Sequence, residues 1–416
     1  MVIVRKNVNG AFCTMNYIEL MNIKEECKKK KVCLFGAGVY GTTWAYDILK
    51  AAEINIDFYY DNYRQTGEEI RDGVKIISEN SLYRLRDFVF VFVAMSYRHQ
   101  RLIREQLYKN GIYNIVEMDD LFLQTFIIDL LQKKDRKLIK QFKCITDNRE
   151  YINRQFRYYI GYYPDLQNPK TFNEKIQWLK LYDRKSEYTQ LVDKYEVKNY
   201  IAEKIGEGYI IPTLGLYDSF AEIDFDKLPR QFVLKCTHDS GSVVICKDKK
   251  NFDIGNAHRI LDRGLSRNYY WGSREWPYKN VKPRIIAEQF LEELSEEGII
   301  DYKFLCMDGK VKIVFTCSNR FSDSGLCVNF YDREWNAMLF ERHYPRRKKE
   351  IEKPKKYEEM VEISEKLSVG IKFVRVDLYY IQERIYVGEL TFYPGSGLEE
   401  FTPVEWDYRL GEMIQL

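Results

Sequence analysis

Asp377 and Glu389 stand in two alternating runs, FVRVDLYY and RIYVGELT, separated by a few turn residues. Alternation puts Val374, Val376 and Leu378 on one face and Arg375 and Asp377 on the other. Val387, Glu389 and Thr391 share a face of the second run. A turn centred on Glu383 sets 377 opposite 389 and 375 opposite 391, with paired Cβ atoms about 4.5–5.5 Å apart. Two facing carboxylates repel, and one pKa rises unless a cation lies between them. A hard divalent ion such as Mg²⁺ relieves that repulsion and leaves its other positions to water and phosphate. A solvated hairpin face is the alternative.

Two further stretches could meet phosphate. In FVLKCTHDSGSVVICK, Val233, Lys235 and Thr237 share a strand face and His238 to Ser242 turn the chain into a second strand. Ser240, Gly241 and Ser242 are small enough to fold over phosphates while Lys235 adds fixed charge, although an ordinary hairpin has the same pattern. Near the start, VCLF runs into Gly36, Gly38 and Gly41 in G-x-G-x-x-G order, and Asp61 closes the next strand, the arrangement of a nucleotide-binding first turn.

The elements that must carry these groups follow from the pattern. Strands near 32–35, 56–61, 74–77, 88–94 and 114–117, with a helix over about 98–110, make a small parallel α/β unit. LFLQTFIIDLLQKKDRKLIKQF is helical with a basic back, and a core-facing linker helix outranks a membrane-surface one. Thr171 to Glu174 is a capping box opening a helix. The expected organisation is a lead over 1–30, a Rossmann-like unit over 31–120, a helical linker over 121–165 and a larger unit over 166–416.

Composition narrows the classes. The 416 residues are 45% hydrophobic and 31% charged, with 65 basic against 62 acidic side chains. A net charge of +3 gives no general field for nucleic acid. Nine scattered cysteines without a Cys-x-x-Cys pair suit free thiols, not zinc. No apolar run reaches membrane-spanning length and the first residues lack a signal-peptide core, so a cytoplasmic protein is expected.

FGAGVYG, YYDN and VFVAMS resemble the small Rossmann-like domains of bacterial sugar-modifying enzymes, including that of PglD-type sugar acyltransferases. The resemblance leaves two roles open, binding a nucleotide-sugar or orienting a neighbour without a ligand. From about Tyr162, the succession NPKTFNEKIQWLK, DKY, VLKCTHDSGS, AEQFLEE, DYKF, VRVDLYY and GELTFYPGSG resembles the TupA-like ATP-grasp family of teichuronopeptide and surface-polysaccharide gene clusters. The implied fold is α/β and α+β, a small parallel sheet followed by an ATP-grasp domain.

That resemblance implies ATP and Mg²⁺ as cofactors and a carboxylate–amine ligase, with a small-molecule or glycan acid and an amine as substrates and other polysaccharide enzymes as partners. It makes Lys194 and Lys235 the phosphate lysines and Ser240 to Ser242 the lid. Glu288 to Leu291 become the adenine hinge, with Gln289 and Leu291 at the base edge, and Asp301 the ribose acid. Arg375 would hold the transferring group, and Asp377 and Glu389 the metal. Thr391 stands where many members place Asn, which leaves one metal ion or two open. YPGSG would contact the acceptor carboxylate, and Arg320 and Arg333 are candidate acceptor contacts. A glycan kinase and a non-catalytic binding module are the competing readings.

Overall fold

The computed structural model describes residues 17–38, 40–95, 97–118, 147–291, 300–318, 325–347 and 349–416. Val39 of the glycine motif, residues 121–146 of the expected helical linker, the first part of the lead and Arg320 lie outside them. The chain divides into two compact units, Met1–Tyr163 and Pro164–Leu416.

In the first unit, β1 (Lys31–Phe35), β2 (Phe58–Tyr60), β5 (Val89–Val93) and β6 (Ile115–Glu117) form a parallel sheet in the order β2-β1-β5-β6. All five residues of β5 are buried, as the unbroken apolar run requires of a strand covered on both faces. The strand expected at 74–77 is only partly in this sheet. Val74–Lys75 (β4) instead pairs antiparallel with Glu69–Arg71 (β3), and a single parallel bridge joins Tyr59 to Ile76. Asp72 and Gly73 adopt positive φ between β3 and β4, so an Asp-Gly turn closes a ribbon there.

The second unit contains two antiparallel sheets. β7 (Thr213–Tyr217), β8 (Phe232–Cys236), β9 (Val243–Cys246) and β10 (Ile285–Gln289) are ordered β7-β10-β8-β9. Phe232, Leu234 and Cys236 point into a core shared with Ala257 and Leu261 of the helix Ile254–Leu265, leaving Val233 and Lys235 on the open face.

The larger sheet contains β11 (Asp301–Met307), β12 (Lys310–Ser318), β13 (Cys327–Asp332), β14 (Ala337–Met338), β16 (Phe373–Ile381) and β17 (Arg384–Thr391), ordered β14-β13-β12-β11-β16-β17. A short ribbon of β15 (Glu341–Arg342) and β18 (Phe401–Thr402) lies apart from it. Phe304, Cys306, Val374, Val376 and Leu378 face a core closed by the helix Tyr357–Ser368. The opposite face therefore carries Asp301, Lys303, Arg375, Asp377, Glu389 and Thr391.

The capping box forms as expected, with Thr171 Oγ1 accepting from Glu174 N and Glu174 Oε2 accepting from Thr171 N, both at 3.1 Å. It starts the helix Phe172–Tyr182, which packs on the Pro394–Gly397 turn and the helix Glu405–Glu412.

Candidate functional site

The hairpin register matches the sequence expectation, by a route the sequence did not display. Asp377 pairs with Glu389 and Arg375 with Thr391. The turn is the two-residue type with Gln382 and Glu383 both at positive φ, so Ile381 opposes Arg384. A β-bulge past Asp377 inserts one residue in β17 and restores the pairing that a turn centred on Glu383 would give, but it turns Val387, expected on the face of Glu389, into the core opposite Leu378.

Arg375 itself is the cation between the facing acids. Its Nε donates to Asp377 Oδ1 at 2.6 Å, and its terminal nitrogen donates to Asp377 Oδ2 at 2.7 Å and to Glu389 Oε1 and Thr391 Oγ1 at 3.0 Å. Lys303, directly across from Asp377 on β11, also donates to its carboxylate and lies 3.9 Å from Asp301. Burial pushes the Asp377 carboxyl up, with Arg375 and Lys303 opposing. Burial acts the same way on Glu389, but Arg375, Lys194 and Lys303 hold it at about 2. The Glu389 side chain is 41% exposed against 12% for Arg375, so the acid opens to the cleft and the guanidinium lies beneath it.

Among the described residues no group of three or more His, Cys, Asp or Glu is set to hold a metal. Asp377 and Glu389 nevertheless offer hard oxygen donors at paired positions. That set fits a small divalent ion whose remaining ligands are phosphate and water. Such an ion competes with Arg375 for the same carboxylates.

The smaller sheet supplies the other charges. Lys235 Nζ lies 2.8 Å from Glu288 Oε2 and Lys198 Nζ 2.6 Å from Glu288 Oε1. Glu288 is 4% exposed, not a solvated strand end. Burial raises its pKa, but the two lysines outweigh it and leave the carboxyl below its usual range. On the same open face Val243 and Ile245 of β9 are 40% and 38% exposed, an apolar wall beside Lys235 suited to a flat ring. Gln289 N donates to the Pro212 carbonyl at 3.0 Å, so this hinge N–H is already committed.

Lys194 reaches the lid. Its N–H bonds the Thr237 carbonyl at 3.1 Å and its ammonium donates to the Asp239 carbonyl. Ser242 donates to the Asp239 carboxylate, and Gly241 has φ +101. His238 is buried between the Gly264 and Arg267 carbonyls, 3.1 and 3.2 Å from Nε2. Two carbonyl partners assign the proton to Nε2, and burial lowers the pKa, so the ring is neutral. Tyr269, hydrogen-bonded to Ser240, meets Tyr278 edge to face at 4.9 Å, and burial, with Glu275 and Glu389 adding to it, pushes both phenols up.

The role of the helix formed by FNEKIQWLKLY emerges only in three dimensions; the residues that matter are Asn173, Gln177 and Lys180. Gln177 Nε2 donates to the Ser396 and Gly397 carbonyls at 2.8 and 2.7 Å. Lys180, fully buried, donates to the Ser396 carbonyl and hydroxyl at 2.8 and 2.6 Å and to the Ser273 carbonyl at 2.9 Å. Asn173 Nδ2 bonds the Glu399 carbonyl at 2.8 Å. These bonds hold Gly395, Ser396 and Gly397, all at positive φ. Glu275 is buried nearby; burial pushes its carboxyl up against Lys180, Ser273, Ser396 and Arg375.

Sequence reading therefore missed Lys303, Lys198, Lys180, Gln177 and Glu275. Alternation from Asp301 in DYKF would have found Lys303. Arg333 pairs with Glu358 of the back-face helix at 3.0 Å. In the basic run HYPRRKKEIEKPKK, Arg346, Lys353 and Lys355 pair with Glu350, Glu358 and Glu383.

In the first unit Gly36 has φ +106, a Cβ on it would meet the Ala94 carbonyl at 2.7 Å, and one on Gly41 would meet the Gly36 carbonyl at 1.8 Å. Gly38 has open space. Asp61 Oδ2 accepts from Ala37 N at 2.7 Å and Oδ1 from Tyr63 N at 2.9 Å, so this acid fastens the glycine loop.

A family model described as TupA-like ATPgrasp matches residues 174–415. Among solved structures, D-alanine–D-alanine ligase from Bacillus anthracis complexed with ATP is 13% identical, covering 92% of this chain and 96% of that one at TM-score 0.32. N5-carboxyaminoimidazole synthase from Aspergillus clavatus with ADP and 5-aminoimidazole ribonucleotide is 11% identical, covering 88% and 70% at 0.28. Phosphoribosylamine–glycine ligase from Thermotoga maritima is 11% identical, covering 92% and 76% at 0.30. TM-scores this low add no weight to the family match. No curated protein matches the chain.

Proposed function

The chain belongs to the TupA-like ATP-grasp family, and from that premise we propose that it is an ATP-dependent ligase joining a carboxylate to an amine through an acyl phosphate. What carries the reading is the placement of Arg375 between Asp377 and Glu389, with Lys194, held against Thr237 and Asp239, acting on the same Glu389.

ATP lies with its base against Val243 and Ile245 and its hinge contacts at Glu288 to Leu291, Gln289 contributing through groups other than its committed N–H. Asp301 takes the ribose, and Lys194 and Lys235 take the phosphates under the Ser240–Ser242 lid. Asp377 and Glu389 hold Mg²⁺, with Thr391 beside them; when bound, the ion neutralises phosphate charge. An oxygen of the acceptor carboxylate attacks the γ-phosphorus and ADP leaves with the bonding pair. Arg375 neutralises the acyl phosphate. The amine then attacks the acyl carbon, phosphate departs, and the amine loses a proton. The lid excludes water that would hydrolyse the activated acid. Gly395 to Gly397 border the acceptor.

The wider setting of this reading is surface-polysaccharide biosynthesis in the cytoplasm, with an amino acid and a sugar or uronic acid as partners. In the 31–120 unit two roles stay open for Gly36, Gly38, Gly41 and Asp61, contact with a nucleotide-sugar or shaping a unit that orients its neighbour without a ligand. No described helix is long and apolar enough to cross a membrane.

The test is product analysis. Purified protein with Mg²⁺-ATP is screened against uronic acids, UDP-sugars and amino acids, reading ADP, phosphate and product mass. Equal ADP and phosphate with the mass of acid plus amine minus water is expected. A phosphorylated acceptor without free phosphate would make it a kinase, and no acceptor-dependent turnover a binding module.

A further inference from the structure

Of the two candidate phosphate lysines, Lys235 lies within β8, while Lys194 stands in a short link, Asp193 to Glu196, between the helices Tyr188–Val192 and Val197–Ile205. A link has no ladder of its own, so a side chain there is aimed only as well as its neighbours are held. Lys194 N donates to the Thr237 carbonyl at 3.1 Å, and Thr237 N donates to the Arg284 carbonyl at 2.9 Å. Arg284 precedes Ile285, the first residue of β10, and Ile285 pairs with Cys236, so the Arg284 backbone comes level with Thr237.

The Arg284 side chain then reaches back to the link. Its Nη2 donates to Asp193 Oδ2 at 3.0 Å and to Glu196 Oε1 at 2.9 Å, and its guanidinium carbon lies 5.2 Å from the centre of the Tyr195 ring. The other Asp193 oxygen accepts from Tyr195 N at 2.8 Å and from Glu196 N at 3.3 Å, so the carboxylate that Arg284 holds also closes the turn around Lys194. The arginine thus touches residues 193, 195 and 196, every member of the link except the lysine. Its side chain is 13% exposed and that of Asp193 4%, so this pair is screened far less than a surface ion pair. From this anchored backbone the Lys194 ammonium extends to the Asp239 carbonyl in the lid.

Resting on the reading of Lys194 as a phosphate ligand, we infer that Arg284 is a positioning residue for the nucleotide phosphates, clamping Asp193, Tyr195 and Glu196 so that Lys194 is set before ATP arrives. Ordering the link in advance removes that cost from binding. β10 then serves both ends of ATP: Arg284 at its start places a phosphate lysine, while Glu288 and Gln289 at its end belong to the expected adenine hinge. A clamp of purely structural value would make the same bonds, but its loss would add to the loss of Lys194. A clamp that acts through Lys194 has nothing left to contribute once the ammonium is gone.

The experiment is a double-mutant cycle on the full chain, reading Mg²⁺-ADP affinity by calorimetry for wild type, Arg284→Gln, Lys194→Ala and the double variant. Arg284→Gln should weaken ADP about tenfold, the loss of a charge-assisted bond, and Lys194→Ala at least as much. The double variant should match Lys194→Ala to within about twofold. Arg284→Lys should fall between wild type and the glutamine variant, because an ammonium keeps the charge but not the planar fork. Glu196→Gln, at a side chain 37% exposed, removes one of the two acids and decides the matter if Arg284→Gln does not fold. It should weaken ADP about threefold on the wild-type background and leave Lys194→Ala unchanged. The inference is overturned if the losses add, if the Arg284 and Glu196 variants bind ADP as wild type does, or if wild type binds no ADP. Full coupling without amide formation sinks the ligase reading and keeps the role of Arg284; amide formation with additive losses does the reverse.

Discussion

Replacing Glu288 with glutamine keeps the side chain's shape and removes the charge that faces both Lys198 and Lys235. The two ammonium groups lie 2.6 and 2.8 Å from the carboxylate, on side chains only 13% and 19% exposed. Removing one member of a buried pair costs about 3–5 kcal/mol, because the remaining charge is left uncompensated. The lysines retain some access to water, so we expect the lower end, about 3 kcal/mol. For a unit of this size that is a fall of roughly 6–12 °C in melting temperature.

The pH dependence gives the sign. The folded-state pKa of Glu288 lies below its ordinary value, so its contribution is fully present above an unfolded pKa of about 4.3 and disappears as pH falls through the folded value. Wild type and Glu288→Gln should therefore differ most at neutral pH and converge in acid. Mg²⁺-ATP supplies negative charge to Lys235 and should raise the variant's melting temperature by more than the wild type's. The assay is thermal and urea unfolding by circular dichroism from pH 3.5 to 8, with and without nucleotide. A variant as stable as wild type at pH 7, or a gap that widens in acid, would refute the account of Lys198, Glu288 and Lys235 as one buried cluster. Equal stabilisation of both proteins by ATP would refute Lys235 as a phosphate ligand.

Two other substitutions probe the loop and its clamp. Gly397→Ala places a Cβ 2.7 Å from Gln177 Nε2 and from Ile176 in a backbone at φ +61, so we expect a loss of about 1–3 kcal/mol and a raised acceptor KM, read by unfolding and steady-state kinetics. Burial raises the Asp407 carboxyl to about 6 against the hydrogen bonds from Asn173, so stability is greatest below its unfolded pKa and declines by roughly 2–3 kcal/mol as pH rises from 4 to 6. Asp407→Asn should flatten that slope in unfolding curves; an unchanged slope counts against the assignment.

Much of the hairpin was legible in residue order. Alternation and a capping box are decided among neighbours, so the face of Asp377 and the start of the helix at Phe172 could be read directly. Even there, the bulge after Asp377 was invisible, and the register came out right because bulge and turn offset each other. In the first unit the Asp-Gly turn at 72–73 was present in the chain, yet alternation alone put residues 74–77 in the parallel sheet. What only the tertiary structure decided is which charges meet. Lys303 finds Asp377 because β11 pairs with β16, Glu288 finds Lys198 because β10 lies within reach of the helix Val197–Ile205, and Lys180 is buried because its partner is a loop near the end of the chain. Such pairings bind residues far apart in sequence, and no local period encodes them. Residue types and spacing thus determined the family's motifs and the two facing acids, while sheet order and packing determined that Arg375 stands between them.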